Sequence, residues 1–298
     1  MAKHWTAQDI PNQSGKKVLI TGGNRGLGFQ MALELARKQA QVTLACRSTR
    51  KGNAAAERIR SLLGAAVQVE VLALDLNDLE SIRDFTGAYK ERHNSLDILI
   101  NNAAVVNLKE KSTNPMGWEM HMATNHLGHF ALTAQLYPII RDTEGARVVT
   151  MGSGAHKFGT LDLSDIHWEK RPYDRSISYG DSKLANMLFM RKLQQKFETE
   201  GVNAISVGAH PGLSATERQQ SIGIGGWLTK IMAQPVSKGV LPALRAATDP
   251  EVKGGAYYGP RYMICGYPIL AGLDKKALDQ KKADTLWELS EHLTRTTF

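Results

Sequence analysis

Val18-Leu19-Ile20-Thr21-Gly22-Gly23-Asn24-Arg25-Gly26-Leu27-Gly28 is the stretch that decides how this 298-residue chain folds. A short apolar run, Val18-Leu19-Ile20, ends in a glycine-rich turn, and Leu27, Met31 and Leu35 then recur every four residues as a helix stripe. Glycine lets the backbone turn tightly and approach a pyrophosphate with no Cβ in the way. A helix opening near Gly26 directs its free N–H groups and positive dipole end at such an anion. The spacing is G-x-x-x-G-x-G, not the commonest dinucleotide pattern G-x-G-x-x-G. Because strand and helix flank the turn, it reads as a nucleotide site rather than a plain connection. Gly22, Asn24, Arg25, Gly26, Leu27 and Gly28 are its candidate residues.

Outward from this turn the strand and helix signals alternate. Gln41 to Cys46 reads as a second strand and Asn53 to Leu63 as a second helix. Val67, Val69 and Val71 give a third strand, followed by a helix from about Asp78 to Arg92. Leu96 to Ile100 is a fourth strand, and Pro115 suits the first turn of a long helix running to about Tyr137. Arg147 to Met151, the helix Ser178 to Phe197 and the strand Ala204 to Val207 follow. A helix from Pro235 to Ala247, a short strand from Ala256 to Tyr258 and a helix from Asp274 to Leu293 close the chain. Repeated β-α-β units of this kind predict an α/β fold: a doubly wound parallel sheet of about seven strands with helices on both faces. No linker or repeat divides the chain, so 1–298 reads as one domain. Within it, 1–16 is an N-terminal extension, 213–235 a substrate lid and 260–298 a C-terminal extension.

Composition narrows the function classes. Hydrophobic residues are 42% and charged residues 22% of the chain, ordinary for a soluble enzyme. The two cysteines, Cys46 and Cys265, stand far apart, which argues against a disulfide framework or a zinc site and suits a reducing compartment. No signal-peptide run and no apolar stretch of bilayer length is visible, so the expected location is the cytoplasm. The net charge of +8 comes from scattered basic pairs such as Lys16-Lys17 and Lys281-Lys282, not a nucleic-acid patch. Part of that excess can attract a polyanionic cofactor.

The end of the second strand bears on which dinucleotide binds. An NAD site usually places a carboxylate there for the ribose hydroxyls. This chain has Ala45-Cys46-Arg47 instead. The planar guanidinium of Arg47 can pair with a 2′-phosphate, and Arg25 lies where it can assist. NADP is therefore the expected cofactor and NAD the lesser alternative.

Tyr179-Gly180-Asp181-Ser182-Lys183 places a phenol and an ammonium four residues apart on one helical face. A phenol has a pKa of about 10, and bringing it near 7 needs about 4 kcal/mol of differential stabilisation, part of which an adjacent cation can supply. Alone, this spacing would read as a surface pair. It stands, however, with Thr21-Gly22-x-x-x-Gly26-x-Gly28, Asp75-Leu76, Asn101-Asn102-Ala103-Ala104, Asn125, Ser153 and Pro211-Gly212, all in order. In this set the sequence resembles the short-chain dehydrogenase/reductase family from Lys17 to about Gly259. Thr124 to Phe130 and Ser182 to Asn186 resemble its retinol dehydrogenase-like group, and Trp5-Thr6-Ala7 and Gly255 to Pro260 resemble bacterial members.

The resemblance implies hydride transfer between a nicotinamide cofactor and an alcohol or carbonyl substrate, an apolar one such as a retinoid-, steroid- or lipid-like aldehyde or ketone. It implies Tyr179 as proton donor and acceptor, Ser153 as hydrogen-bond donor to the substrate oxygen, and Lys183 as ligand of the nicotinamide ribose and tuner of Tyr179. Asn125 would support a proton-relay water. Asn102, Ala103 and Ala104 would line the cofactor, Asp75 and Leu76 would flank its adenine, and Pro211, Gly212, Ser214 and Thr216 would hold its nicotinamide end. A fold kept without catalysis, as in a nucleotide-binding regulatory protein, is the alternative from another class; epimerase or lyase chemistry on the same scaffold is a third reading. A homodimer through the helices carrying Asn125 and Tyr179 is compatible with the pattern, as is a monomer.

Three positions depart from the family pattern. Ala104 stands where glycine is usual, Gly152 replaces a serine common before Ser153, and Pro172 is one residue more than close relatives carry. His121, His126 and His129 crowd one helix, but their spacings leave a ligand set incomplete, so no metal is expected and their role is read as structural. His156 reads either as a border of the substrate mouth or as a surface residue. Ile222, Ile224, Trp227, Leu228, Ile231 and Met232, loosened by Gly223, Gly225 and Gly226, read as an apolar lid over the substrate or as core.

Overall fold

The computed structural model describes residues 4–106, 108–213 and 234–298. The lid segment, with Ser214 and Thr216, therefore lies outside the described residues apart from its two ends.

Eight strands form one sheet in the order β3-β2-β1-β4-β5-β6-β7-β8. They are β1 (Lys17–Thr21), β2 (Gln41–Cys46), β3 (Val69–Ala73), β4 (Ile98–Asn101), β5 (Ala146–Met151), β6 (Ala204–Ala209), β7 (Tyr257–Pro260) and β8 (Pro268–Leu270). All neighbours are parallel except β7 and β8. The α/β class and the parallel sheet are those read from the sequence. The eighth strand was not: it is three residues long, starts on a proline and leaves Ile269 and Leu270 exposed at the sheet edge. Nothing in so short an edge strand repeats with period two, and proline is at home there.

The sheet is buried on both faces, and adjacent residues of one strand feed opposite cores. Val18, Ile20, Val42, Leu44, Ile98 and Ile100 pack in the core that includes α1 (Gly26–Arg37) and α2 (Thr49–Leu63). Leu19, Leu99 and Val148 enter the core on the other face, with α3 (Leu79–Arg92), α4 (Gly128–Arg141) and α5 (Arg175–Thr199). Such two-sided burial explains why the strands read as continuous apolar runs. Helix α6 (Leu241–Thr248) joins the first core, and α7 (Gln280–Thr294) closes over α5 through Trp287 and Leu286.

The helix expected to begin at Pro115 starts later. Asn114 Oδ1 accepts the N–H groups of Met116 at 3.1 Å and Trp118 at 2.9 Å, and Gly117 takes a left-handed φ of +79°. These local bonds compete with helix formation. A single turn, Met120–Met122, passes into a π-helical turn, Ala123–Leu127, before α4 continues to Arg141. The π turn contains Asn125, and such turns concentrate at functional sites. No helix among the described residues is long and apolar enough to cross a membrane.

The order reversal falls between β2-β1 and β4-β5, where the loops after β1 and β4 part in opposite directions and open a crevice at the carboxyl ends of the strands. Its floor is closed by tight backbone packing: a Cβ on Gly128 would lie 2.3 Å from the Leu76 carbonyl oxygen. Gly128→Ala is expected to lower stability by about 2 kcal/mol in urea titration, overpacking outweighing alanine's better helix propensity; an unchanged midpoint would show that the contact yields.

Candidate active site

The crevice is a cleft of about 890 Å³, lined from the glycine turn at one end to Pro211 and Gly212 at the other. The turn is a backbone surface. A Cβ on Gly28 would stand 2.3 Å from Gly22 O and 2.8 Å from Asn102 Nδ2, and Gly22 has a φ of +67° with Ala103 only 3.2 Å from its Cβ position. Gly26 also takes a left-handed φ, +55°. Arg25, at the N-cap of α1, supplies no acceptor, so no side chain caps the first-turn N–H groups beside the cleft. A cradle with no room for side chains and free helix N–H groups fits a pyrophosphate. Gly22, Asn24, Arg25, Gly26, Leu27 and Gly28 all line it.

At the end of β2, Arg47 lines the cleft and is exposed, as is Arg25. Ser48, the N-cap of α2, and Lys51 in its first turn line it too. Sequence reading missed these two; their signal is a serine cap directly after Arg47, which follows the strand. Asp75 and Leu76, in the loop after β3, and Asn102, Ala103 and Ala104, after β4, complete the walls. The methyl of Ala104 brings no backbone strain, since its φ is not left-handed.

One hydroxyl joins the two halves. Thr21 Oγ1 accepts the N–H of Asn102 at 2.8 Å and of Ala103 at 2.9 Å, and lies 2.8 Å from His129 Nε2. Asn102 Nδ2 returns a bond to Thr21 O at 2.7 Å. His129 Nδ1 donates to the Asn125 carbonyl at 3.1 Å, so the remaining Nε2 accepts from the Thr21 hydroxyl. Burial pushes His129 down to about 4, against the Asn125 bond, which keeps the imidazole neutral for this task. His126 is similarly buried, with Nε2 2.9 Å from Ser290 Oγ. These histidines hold the helix to its neighbours. No group of three His, Cys, Asp or Glu among the described residues gathers to hold a metal ion.

Ser153, Tyr179 and Lys183 meet at the cleft, brought there by β5 and α5. Ser153 lies in hydrogen-bond contact with the Tyr179 phenol. Lys183 Nζ donates to Met151 O at 2.9 Å and sits 5.8 Å from the Tyr179 ring centroid. Burial raises the Tyr179 phenol above its ordinary range, and the Ser153 bond works against that rise. Burial brings the Lys183 ammonium down to about 8. Each group by itself is thus pushed toward neutrality, and a charge on either is favoured by an opposite charge beside it.

Asn125 does not line the cleft. Its Oδ1 accepts the Val105 N–H at 2.7 Å, and its Nδ2 donates to Val105 O at 3.0 Å and Ser182 Oγ at 2.9 Å. It therefore ties the loop after β4 to the middle of α5, with Ser182 donating in turn to Tyr179 O at 2.8 Å.

The loop between Ser153 and α5 is fastened rather than loose. Asp181, inside the Tyr179–Lys183 turn, accepts the N–H groups of Thr160 and Leu161, each at 2.7 Å, and pairs with Arg171 at 2.9 Å. Arg171 lies over Trp168 at 3.7 Å, and Pro172 is exposed beside it, so the extra residue leaves this clamp intact. His156 is neither at the surface nor in the cleft lining: it is buried, donating from Nδ1 to Ser153 O at 2.6 Å and accepting the Asp274 N–H at 3.2 Å. Gly152 is glycine because Tyr257 fills the space, its Oη 2.9 Å from where a Cβ would stand.

The short chain dehydrogenase family profile matches residues 16–224. Retinol dehydrogenase 12 of Mus musculus is 37% identical over 281 residues, covering 93% of this chain and 85% of its own length. A probable oxidoreductase of Streptomyces antibioticus is 32% identical, covering 92% of this chain and 96% of its own. The crystal structure of an uncharacterised protein from Mycobacterium paratuberculosis superposes with a TM-score of 0.85 at 39% identity, over 99% of both chains.

The Lys183 shift sets a stability test on cofactor-free protein. Its value is lowered from 10.5 to about 8, so between those values the unfolded chain binds more protons and stability rises with pH. Below that window the full cost of the buried ammonium is present. Lys183→Met is expected to gain about 3 kcal/mol at pH 7 in urea titration, the gain fading as the pH approaches the ordinary lysine value. A variant less stable than the parent at pH 7 would refute this account.

Proposed function

The chain belongs to the short-chain dehydrogenase family, as a retinol dehydrogenase-like oxidoreductase, and from that premise we propose that it transfers hydride between NADP(H) and an apolar aldehyde, ketone or alcohol. The observation that carries the reading is the convergence of Ser153, Tyr179 and Lys183 on the same cleft as the glycine cradle. The nicotinamide cofactor supplies the hydride chemistry when bound. Everything else falls to the chain.

The backbone at Gly22–Gly28 and the free N–H groups of α1 hold the pyrophosphate, while Arg47 and Arg25, with Ser48 and Lys51, favour a 2′-phosphate over a bare ribose. Asp75 and Leu76 flank the adenine, Asn102, Ala103 and Ala104 form the wall, and Pro211 and Gly212, with Ser214 and Thr216, hold the nicotinamide end. Lys183 Nζ binds the ribose hydroxyls and favours the phenolate of Tyr179. Ser153 Oγ donates to the substrate oxygen where charge develops. Tyr179 Oη gives that oxygen a proton in reduction and removes one in oxidation. Asn125 holds α5 against β4 so that these groups keep their spacing. Val105, Val106, Ala155 and Phe158 give the cleft apolar lining near this centre, which suits an apolar substrate.

A panel of aldehydes, ketones and alcohols, followed by NADPH consumption or formation, tests the activity. Tyr179→Phe is expected to cut turnover by at least ~10²-fold with cofactor affinity little changed; unchanged turnover would refute the mechanism. Arg47→Asp is expected to move preference toward NAD. Wild-type protein that binds NADH more tightly than NADPH in a fluorescence titration would overturn the cofactor assignment.

A further inference from the structure

Beside Tyr179 lies a buried polar cluster that the mechanism above leaves unused. Glu119 and His121 are 1% and 0% exposed. Glu119 Oε2 accepts the Met122 N–H at 2.9 Å, which caps the turn leading to Asn125. Its Oε1 lies 3.1 Å from His121 Nδ1 and 3.5 Å from Tyr173 Oη. His121 Nδ1 is also 2.9 Å from Ser178 Oγ, on the residue before Tyr179. The imidazole packs edge-to-face with the Tyr179 ring, centroids 5.7 Å apart and planes at 66°. His121 Nε2 has no hydrogen-bond partner among the described residues.

A carboxylate buried this deeply is unfavourable unless it is paired, and well-packed apolar side chains would serve stability as well or better. Burial alone would raise the Glu119 carboxyl, but the His121 bond and charge and two main-chain N–H donors more than reverse this. Glu119 is thus a fixed acceptor that anchors His121, one ring away from the proposed acid/base. Such an arrangement is explained by what it does to that neighbour.

We propose that Glu119 and His121 are a positioning pair for Tyr179: His121 sets the rotation of the phenol ring through its edge-to-face contact and the Ser178 bond, and Glu119 anchors the His121 imidazole and the turn that carries it. The proposal rests on the acid/base reading of Tyr179. Around the pair the titratable and charged groups are Tyr173, which Asp174 influences, and His167, whose Nδ1 is 3.4 Å from the Glu119 nitrogen. Around Tyr179 they are Lys183 and Tyr257. Glu119 is the only carboxylate bonded directly to His121 among the described residues.

The test reads Tyr179 directly. Ultraviolet titration of the phenolate in the full chain, taken as the difference from Tyr179→Phe, isolates the ionisation step of this residue. Glu119→Gln keeps an acceptor for the Met122 N–H but turns an amide N–H₂ toward His121, so the imidazole loses its anchor, the Ser153 bond to the phenol loosens and the step is expected to move to higher pH by about half a unit. Glu119→Asp keeps a carboxylate with two acceptor oxygens and is expected to move it less. His121→Phe keeps a ring against Tyr179 but loses the Ser178 bond; its kcat is expected to fall about tenfold with NADPH affinity unchanged, and His121→Asn to recover part of the loss. A Tyr179 step that stays put in Glu119→Gln, or a His121→Phe protein with wild-type kcat and pH profile, overturns the proposal. Should Glu119→Gln fail to fold, the His121 pair of variants decides in the same way. Because the titration needs no substrate, the positioning pair and the oxidoreductase reading fail separately.

Discussion

The geometry of the cleft hangs on the hydroxyl of Thr21. This one oxygen accepts N–H bonds from Asn102 and Ala103 and donates to His129, so the end of β1, the end of β4 and the helix carrying Asn125 share a single joint. At this joint the sheet order reverses and the backbone must leave two adjacent parallel strands in opposite directions. Main-chain N–H groups freed there would be costly if buried without partners. The threonine satisfies two of them at once, and the neutral His129 in turn fixes the direction of its hydroxyl.

From that joint the two functional halves follow. On one side the glycine turn is pressed so closely against Asn102 that no side chain fits, which leaves a surface of backbone donors at the start of α1. On the other, the π turn that follows Glu119 presents Asn125 to Val105 and Ser182, and so sets the height of α5 relative to β4. Tyr179 and Lys183 ride on α5, while Ser153 arrives from β5 and is held by His156 under its carbonyl. The proposed acid/base residues are thereby placed by rigid elements, and the loop facing them is clamped by Asp181 and Arg171.

Burial acts on this centre in a consistent direction. It favours the uncharged forms of Tyr179, Lys183, His129 and His156, as desolvation must. Glu119 is the exception nearby, kept ionised by His121 and by main-chain donors. A site of this kind sacrifices stability to keep ionisable groups where they are needed, as functional sites commonly do.

The sequence by itself determined the class of fold and pointed to the glycine cradle and to the pair Tyr179 and Lys183, because each depends on local pattern, while Ser153 came only from the family resemblance. Apolar runs two-sidedly buried, glycines without room for Cβ and a four-residue helical spacing are all legible along the chain. The late start of the helix before α4 and the edge strand β8 were not legible, since a side-chain turn at Asn114 and a three-residue strand leave no periodic trace. Only the tertiary structure decided the partners of His121 and His129, which the sequence read simply as structural, of His156, read as a mouth or surface residue, and of Asp181, for which it offered no reading. Their partners lie on other elements, 57 residues away for His121 and Ser178 and 108 for Thr21 and His129. Hydrogen bonds between such distant positions are set by packing, and no local spacing encodes them.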